Sequence, residues 1–359
     1  MHDVIYMRRA LSLARRARGR TSPNPMVGAV VVKRGRIISE GYHKKAGTPH
    51  AEVIALDAAG DRAEGATLYV TLEPCCHKDK RTPPCTERII RSKIDRVVVA
   101  MSDPNPKVSG RGLEELRTAG ITVVSGVLDK KARDLNEFYI KHITKRSPFV
   151  ILKVAMTLDG KIATPSGESK WITGEAARRE VHRLRGSVDA VLTAIGTVKA
   201  DDPQLTCRTG RRKDPTRVIL DPECEISPDA RVLSCPPPTV IVTRTGASFR
   251  RKKSLKEKGA LFIEHEPERV DLNRLMEKLY MMGITSVLIE GGASLNSSCL
   301  EAGIVDKVMF FIAPKIIGGK DSFPAVGGKV FRSLNNAVLL RRTRVRRLGD
   351  DFLFEGYLT

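Results

Sequence analysis

The first 145 residues alternate between short apolar runs and longer segments in which apolar residues recur at helical spacing. Runs such as Val97-Val98-Val99 and Leu68-Tyr69-Val70 lack polar alternation, which is typical of strands buried on both faces. The pattern predicts strands over residues 26–32, 36–42, 66–72, 96–101 and 121–125, and helices over residues 51–60, 85–92, 112–119 and 130–145. We therefore expect an α/β layered domain in which helices cover a sheet.

A break in this pattern falls at Arg146-Ser147-Pro148, and a second alternating series follows it. The second series predicts strands over residues 149–155, 190–195, 217–221, 239–243 and 286–290, and helices over residues 175–185 and 272–282. Residues 306–313, 337–346 and 351–358 are strand-like without intervening helices, which predicts an antiparallel sheet edge. We expect two α/β domains, residues 1–146 and 147–359, which agrees with a prior of about 150 residues per domain.

Residues 1–20 predict an amphipathic helix whose apolar side consists of Tyr6, Ala10, Leu13 and Ala14. The segment lacks the uninterrupted apolar centre of a signal peptide, and Asp3 disfavours a mitochondrial transit peptide, so we assign it to the fold. The seven cysteines cluster mostly in one motif rather than in an evenly spaced disulfide framework, and no apolar run approaches membrane-spanning length. These features favour a cytoplasmic protein without a membrane partner.

The clearest chemical signal is His50-Ala51-Glu52, followed by Pro74-Cys75 and then Cys85. One imidazole and two thiolates are ligands that zinc accepts, and three protein ligands leave a fourth tetrahedral position for water. Glu52 can reach that water without binding the metal and can carry its proton to a departing amine. Both ligand groups fall at predicted helix starts, where unpaired amides favour thiolate. The combination predicts a hydrolytic site of the zinc deaminase type with one zinc ion per chain.

The spacing departs from the usual Pro-Cys-x-x-Cys ending, because nine residues separate Cys75 from Cys85. Cys76 and His77 lie in this gap and are chemically able to bind metal. Adjacent cysteines seldom bind one ion because successive side chains diverge, so Cys75 is favoured over Cys76. His77 is interpreted as a loop histidine near the substrate. The alternative of unrelated core or surface residues is disfavoured, because the combination is far more specific than its parts.

A glycine-rich junction, Glu290-Gly291-Gly292-Ala293, joins an apolar strand to a predicted helix in the second domain. Glycines at such a junction let the backbone approach a phosphate closely, and amides at a helix start favour an anion. The motif is not the G-x-G-x-x-G fingerprint, so a plain tight turn stays open beside a nucleotide cradle.

The net charge of +21 raises a second hypothesis, an RNA-editing deaminase whose basic C-terminal half binds RNA. Lysine and arginine clusters are more often solvated faces than binding sites, and an aromatic fraction of 5% leaves few residues on which bases could stack. The charge is therefore discounted as evidence for a nucleic-acid partner. A third hypothesis is that one half is catalytically silent and serves as a scaffold or a binding module.

Further motifs accompany the metal residues in both halves. The first half contains TSPNPMVG (21–28), TLEPC (71–75), RTPPC (81–85) and DPNP (103–106). The second half contains LDGK (158–161), SGESKWIT (166–173), ADDP (200–203) and IAPK (312–315). Together these motifs resemble the bifunctional riboflavin-biosynthesis deaminase/reductase family over nearly the whole chain. Many relatives have serine where this chain has Cys76, and the loop to Cys85 looks one residue longer here.

The resemblance implies a cytidine-deaminase-like three-layer N-terminal domain and a dihydrofolate-reductase-like C-terminal α/β domain. The first domain would use zinc to remove the 2-amino group from a diaminopyrimidinone ribosylamine 5′-phosphate. The second would use NADPH to reduce the ribosyl chain of the product to a ribityl chain. The partners implied are small phosphorylated pyrimidines and no nucleic acid, with homo-oligomerisation left open.

The resemblance also implies roles for individual residues. Zinc ligands fall on His50, Cys75 and Cys85, the proton carrier on Glu52, and the pyrimidine and phosphate contacts of the deaminase on Asn24, His43, Arg81 and Thr82. NADPH contacts fall on Ala155, Trp171, Thr197, Asp201, Gly292, Ala293, Ser294, Leu295, Asn296, Ser297 and Ser298. The reductase substrate contacts fall on Ser169, Arg185, Leu205, Arg208 and Glu290, with Arg185 and Arg208 suited to a phosphate. Lys153 and Asp201 are candidates for assisting proton movement during hydride transfer. From the residues alone, the favoured interpretation is that Trp171 is a core aromatic and that the two arginines are surface charges.

Overall fold

The computed structural model describes residues 2–77, 83–210, 213–266, 270–328 and 333–358. The chain forms two compact units, Met1–Arg146 and Ser147–Thr359. Within the described residues, no helix combines the length and the apolar character that crossing a membrane requires.

The first unit contains a five-stranded sheet and six helices within its described residues. The strands are β1 (Gly28–Lys33), β2 (Arg36–Tyr42), β3 (Thr67–Val70), β4 (Arg96–Val99) and β5 (Thr122–Ser125). The helices are α1 (His2–Arg15), α2 (Ala51–Ala59), α3 (Cys85–Arg91), α4 (Arg111–Thr118), α5 (Asp129–Leu135) and α6 (Glu137–Lys145). The strand order is β2-β1-β3-β4-β5.

The register of this sheet brings the chemically interesting loops to one edge. Strand β1 is antiparallel to both neighbours, whereas β3, β4 and β5 are parallel, so residues that follow β3 and β4 emerge at the same edge. Val70 pairs with Val99 at the end of these strands, and both side chains are fully buried. Apolar strands buried on both faces match the sequence pattern and fix the loops at their carboxyl ends.

The single helix predicted over residues 130–145 is wrong, because the chain breaks at Asn136 into α5 and α6. Asn136 has φ −107° and ψ 23°, outside helical geometry, and its side chain is buried. The amide group of that side chain forms hydrogen bonds with the main chain of Met26 rather than facing solvent. A short polar side chain that binds a distant backbone competes with helix continuation.

The second unit contains a nine-stranded sheet, a two-stranded sheet and five helices within its described residues. The strands are β6 (Phe149–Thr157), β7 (Lys161–Ala163), β8 (Ala190–Ala194), β9 (Thr216–Leu220), β10 (Val240–Arg244), β11 (Leu261–His265), β12 (Ser286–Ile289), β13 (Lys307–Ala313), β14 (Phe323–Pro324), β15 (Leu340–Leu348) and β16 (Asp351–Leu358). The helices are α7 (Glu175–Arg185), α8 (Ile195–Asp201), α9 (Phe249–Glu257), α10 (Leu272–Met281) and α11 (Ala293–Glu301).

The large sheet has the strand order β11-β10-β9-β8-β12-β6-β13-β16-β15. The seven strands from β11 to β13 are mutually parallel. The last two are antiparallel, so the predicted antiparallel edge is confirmed. The carboxyl ends of β6, β8 and β12 lie side by side at the centre of the sheet, where open parallel sheets bind ligands. Strands β7 and β14 form the separate two-stranded sheet.

The hydrophobic pattern does not predict α9 or β11. Helix α9 has the sequence FRRKKSLKE and buries two side chains, Lys252 and Leu255. The Lys252 ammonium donates hydrogen bonds to the carbonyl oxygens of Arg244 and Thr245 and pairs with Glu264, so a lysine occupies an inward position. A charged residue whose head group is fully paired can occupy a buried helix position that is usually apolar. The spacing of apolar residues therefore does not reveal this helix.

Candidate functional site

Three potential metal ligands meet in the first unit. The Nδ1 atom of His50 lies 3.2 Å from Cys85 Sγ and 3.5 Å from Cys75 Sγ. The ligand atoms of these three residues all lie within 4.8 Å of one another, which suits a single tetrahedral ion. The sequence places them there because His50 caps α2, Cys85 opens α3 and Cys75 follows β3.

The two cysteine segments are also joined through the main chain. The amides of Cys85 and Thr86 donate hydrogen bonds to the carbonyl oxygen of Cys75, at 2.9 Å and 3.3 Å. This carbonyl therefore caps the first turn of α3, whose amides would otherwise lack helical partners. The Cys85 sulfur lies at the positive end of that helix, which stabilises a thiolate.

Glu52 lies in the first turn of α2, two residues after His50, with 3% of its surface exposed. Burial, the largest influence, raises the pKa of its carboxyl group, and the nearby His50 acts in the opposite direction. Its Oε2 atom is buried and has no hydrogen-bond partner among the described protein atoms. A buried carboxyl group with a raised pKa and an unused oxygen beside a metal-ligand cluster is suited to exchanging a proton.

Asn24 and His43 lie beside this cluster. Asn24 Nδ2 is 3.2 Å from His43 Nε2, and His43 Nδ1 is 3.2 Å from the carbonyl oxygen of Pro49. The rings of His43 and His50 meet edge to face with centroids 5.4 Å apart. Burial lowers the pKa of His43, which favours its neutral form. Arg81 and Thr82, the other two substrate positions expected in this domain, lie outside the described residues.

The second unit holds a buried charge cluster at the carboxyl ends of its central strands. Arg185 binds Glu290 through both oxygens, at 2.6 Å from Nε and 3.0 Å from Nη2, and Lys153 approaches Glu290 at 3.3 Å. Burial alone would raise the pKa of the Glu290 carboxyl group, but the charges of Arg185 and Lys153 lower it to about 2. The third Arg185 donor binds the carbonyl oxygen of Thr206, so the interpretation of Arg185 as a surface charge is wrong. Its donors are committed to protein, whereas Arg208 is exposed.

Trp171 is 64% exposed, so its interpretation as a core aromatic is wrong. The guanidinium of Arg178 stacks 4.6 Å from its ring centroid, and Lys315 donates a hydrogen bond to its carbonyl oxygen. Asp201 pairs with Lys170, the residue before Trp171, at 3.0 Å. Asp201 therefore lies beside the loop of Trp171, whereas Lys153 lies beside Glu290.

Helix α11 begins directly after the glycine-rich junction, with Gly292 as its N-cap. Gly292, Ala293, Ser294 and Ser298 are accessible, whereas the side chains of Leu295, Asn296 and Ser297 are buried. Asn296 donates to the carbonyl oxygen of Ala325 while its own Oδ1 has no partner among the described protein atoms. A Cβ at Gly291 would lie 2.6 Å from Leu295 Cδ2, so a larger residue there would force the buried Leu295 side chain to shift.

The remaining expected contacts of the reductase are distributed over strands, helices and loops of the second unit. Ala155 is in β6, Thr197 is in α8, and both are partly buried. Ser169 is partly buried, and Leu205 is buried with φ 55°.

Family models match both units. A model described as "Cytidine and deoxycytidylate deaminase zinc-binding region" matches residues 1–101, and one described as "RibD C-terminal domain" matches residues 148–354. A riboflavin biosynthesis protein RibD of Aquifex aeolicus is 48% identical over 98% of this chain and 97% of its own length. The chain belongs to the RibD family. The RibD of Escherichia coli is 42% identical over 98% of both chains.

Solved structures agree in fold over the whole chain. The chain resembles Acinetobacter baumannii RibD with a TM-score of 0.90 and 39% identity, covering 100% of this chain and 99% of that one. It resembles a Thermotoga maritima diaminohydroxyphosphoribosylaminopyrimidine deaminase/5-amino-6-(5-phosphoribosylamino)uracil reductase with a TM-score of 0.89 at the same identity and coverage. The expected α/β fold class, with a deaminase-like N-terminal domain and a reductase domain, is confirmed.

One residue of the first unit receives no role from its motif. Glu73 lies in the TLEPC sequence, yet its carboxylate is 3% exposed and accepts several main-chain hydrogen bonds. One feature of the sequence could have indicated a buried role for Glu73. This acidic residue stands between a buried strand and a Pro-Cys pair, where an exposed side chain is not expected.

Proposed function

We propose that this chain deaminates 2,5-diamino-6-(5-phosphoribosylamino)pyrimidin-4(3H)-one and then uses NADPH to reduce the ribosyl chain of the product to ribityl. The observation that carries the proposal is the meeting of His50, Cys75 and Cys85 beside the buried Glu52 in a unit matched by a zinc-binding deaminase model. The description of the Thermotoga relative names both reactions.

For the deamination, His50, Cys75 and Cys85 would hold one zinc ion. The donor set fits, because one imidazole nitrogen and two sulfurs within 4.8 Å are ligands that zinc prefers. A zinc ion supplies Lewis acidity toward the attacking water. Glu52 accepts a proton from that water and returns it to the departing amine, a task that its raised pKa and unused oxygen support. Asn24 and His43 lie beside the cluster and would contact the pyrimidine ring, with neutral His43 holding the Asn24 amide in place.

For the reduction, NADPH would lie along the carboxyl ends of the central strands of the second unit. Gly292, Ala293, Ser294 and the first amides of α11, including that of Leu295, suit its phosphates. Asn296, Ser297, Ser298, Ala155, Thr197, Asp201 and Trp171 would complete the contact set. When bound, the cofactor supplies the hydride.

The residues around the reductase substrate divide by charge. Arg185 holds Glu290 ionised and fixed, and Glu290 in turn fixes the Lys153 ammonium, which is positioned to donate a proton during reduction. Arg208, the exposed arginine, is suited to the substrate phosphate, while Ser169 and Leu205 line the sugar side. Asp201 steadies the Trp171 loop through Lys170.

A coupled assay on the purified chain tests both reactions. With the pyrimidine phosphate as substrate, ammonia release should precede a matching consumption of NADPH, and the protein should carry about one zinc per chain. Ammonia release without NADPH consumption would show that the second unit is catalytically silent. Salt-sensitive RNA binding without either reaction would support the RNA-editing alternative. We also propose a reducing compartment such as the cytoplasm, because the cysteines cluster mostly in one motif rather than in an evenly spaced disulfide framework.

A further inference from the structure

Glu73 uses both carboxylate oxygens on main-chain amides from one loop. Its Oε2 accepts from Asp103 and Gly110, both at 3.0 Å, and its Oε1 accepts from Gly112 at 3.0 Å and Leu113 at 3.4 Å. The last two amides belong to the first turn of α4. One buried carboxylate therefore holds the loop that follows β4 and the start of the helix after it.

The first turn of α4 also packs closely against Pro74, the residue before Cys75. A Cβ added to Gly112 would lie 2.2 Å from the carbonyl oxygen of Pro74 and 3.3 Å from Glu73 Oε1, so α4 approaches Pro74 at a distance that glycine alone permits. The Glu73 amide also donates a hydrogen bond to the carbonyl oxygen of Met101, which ties the segment to the end of β4.

The segment from Glu73 to Cys75 is thus held from two sides. On one side, the Glu73 carboxylate and the Pro74 carbonyl fix it to α4. On the other side, the Cys75 carbonyl oxygen accepts from the first amides of α3, which begins with Cys85. Mutation of groups that orient a metal ligand typically weakens metal binding by about 10- to 100-fold.

We propose that Glu73 is a positioning residue for Cys75: by anchoring α4 against Pro74, it sets the place of the Cys75 sulfur relative to His50 and Cys85. This inference rests on the proposed zinc site. It assigns Glu73 no contact with metal or substrate, and it makes a carboxylate necessary there because four donors converge on its two oxygens.

The test is Glu73→Gln in the full-length protein. An amide has nearly the same shape, but whichever way it turns, its NH2 group faces two main-chain donors and two of the four hydrogen bonds are lost. We expect zinc binding about 10- to 100-fold weaker than in the unchanged protein. We also expect a shifted thiolate-to-metal absorption band when Co²⁺ replaces zinc, because the Cys75 sulfur moves. Unchanged NADPH binding would show that the second unit is folded.

Glu114→Gln is the matched control, since Glu114 is an exposed carboxylate in the same turn of α4. It should leave zinc affinity and the Co²⁺ spectrum unchanged. If Glu73→Gln binds zinc as tightly as this control and gives the same Co²⁺ spectrum, the proposal is overturned.

Gly112→Ala provides a second route if the Glu73 variant does not fold. Alanine favours a helix over glycine, so any weakening of zinc binding must come from the collision with Pro74. Zinc affinity at the unchanged level in this variant would contradict the positioning role. A different result, in which the unchanged protein binds no zinc or His50→Ala binds it normally, would refute the proposed metal site itself.

Discussion

The side-chain amide of Asn136 forms hydrogen bonds with both main-chain groups of Met26: Oδ1 accepts from the Met26 amide at 2.8 Å, and Nδ2 donates to the Met26 carbonyl oxygen at 3.0 Å. Met26 lies two residues after Asn24 and two before β1. One side chain near the end of the first unit therefore fixes the loop that carries a proposed substrate contact near its beginning.

Asn136→Ala should destabilise the first unit by about 1–3 kcal/mol, because it leaves the part-buried amide and carbonyl oxygen of Met26 without their partners. Calorimetry of the full-length chain can assign the loss to the transition of that unit. Met26→Leu is the control, since it changes the side chain and keeps both main-chain bonds. It should cost less than about 1.5 kcal/mol. Equal stability of Asn136→Ala and the unchanged protein would contradict this account.

Glu52→Gln should lower the rate of ammonia release by about 10²- to 10⁴-fold, because an amide cannot carry the proton from water to the amine. The zinc content should stay the same, as the three ligand groups remain. Asp57→Asn, an exposed carboxylate on the same helix, should leave the rate unchanged. Full deamination by a zinc-loaded Glu52→Gln variant would exclude the assigned proton carrier.

Asp3 should make the stability of the first unit depend on pH. Hydrogen bonding to Arg96 is the largest influence that lowers its pKa, from 3.8 to about 2. Because the folded-state value is the lower one, this stabilisation is present above the unfolded-state pKa and is lost as the pH falls through the folded-state pKa. Asp3→Asn should cost about 1 kcal/mol at neutral pH after screening by solvent, and progressively less in acid. Urea titrations from acid to neutral pH would give the free energy of unfolding of the unchanged protein and of Asp3→Asn. A difference between the two that does not change with pH would show that the ion pair contributes nothing.

Arg185→Ala should destabilise the second unit by about 3–5 kcal/mol, because Glu290 then keeps a buried charge with one partner fewer. Arg183→Ala removes an exposed arginine from the same helix, with its side chain 58% exposed, and should change stability little. Calorimetry should show the difference in the transition of the second unit. Similar losses in the two variants would mean that the buried cluster is energetically unimportant.

NADPH should change the fluorescence of Trp171, the single tryptophan of the chain, because the exposed ring lies in the proposed cofactor contact set. A titration should saturate, and Trp171→Phe should remove the protein signal. Saturable NADPH binding measured by calorimetry, with no change in the tryptophan emission, would place the cofactor away from Trp171.

The meeting of His50, Cys75 and Cys85 could be predicted because it depends on local rules. Each residue lies at the end of a strand or the start of a helix, and such ends converge at one edge of a parallel sheet. The apolar runs also predict the central strands, because a run that is buried on both faces has few other stable arrangements.

The relationships that could not be predicted depend on long-range polar contacts. Asn136 and Met26 lie 110 positions apart in the sequence. The periodicity of apolar residues does not indicate that a buried asparagine will end a helix at this position. The pairing of Lys153 with Glu290 likewise follows from the pairing of β6 with β12 in the sheet, and the pairing of Asp201 with Lys170 joins the end of α8 to the loop before α7. Hydrophobic patterning carries no information about which charges will meet.

The hydrogen bonds from Cys85 and Thr86 to the Cys75 carbonyl oxygen fasten both ends of the segment between the two sulfurs. These bonds set the place of Cys75 relative to the start of α3 through a main-chain contact that does not depend on the number of residues between the two cysteines. A spacing unlike the usual Pro-Cys-x-x-Cys ending is therefore compatible with the same set of metal ligands.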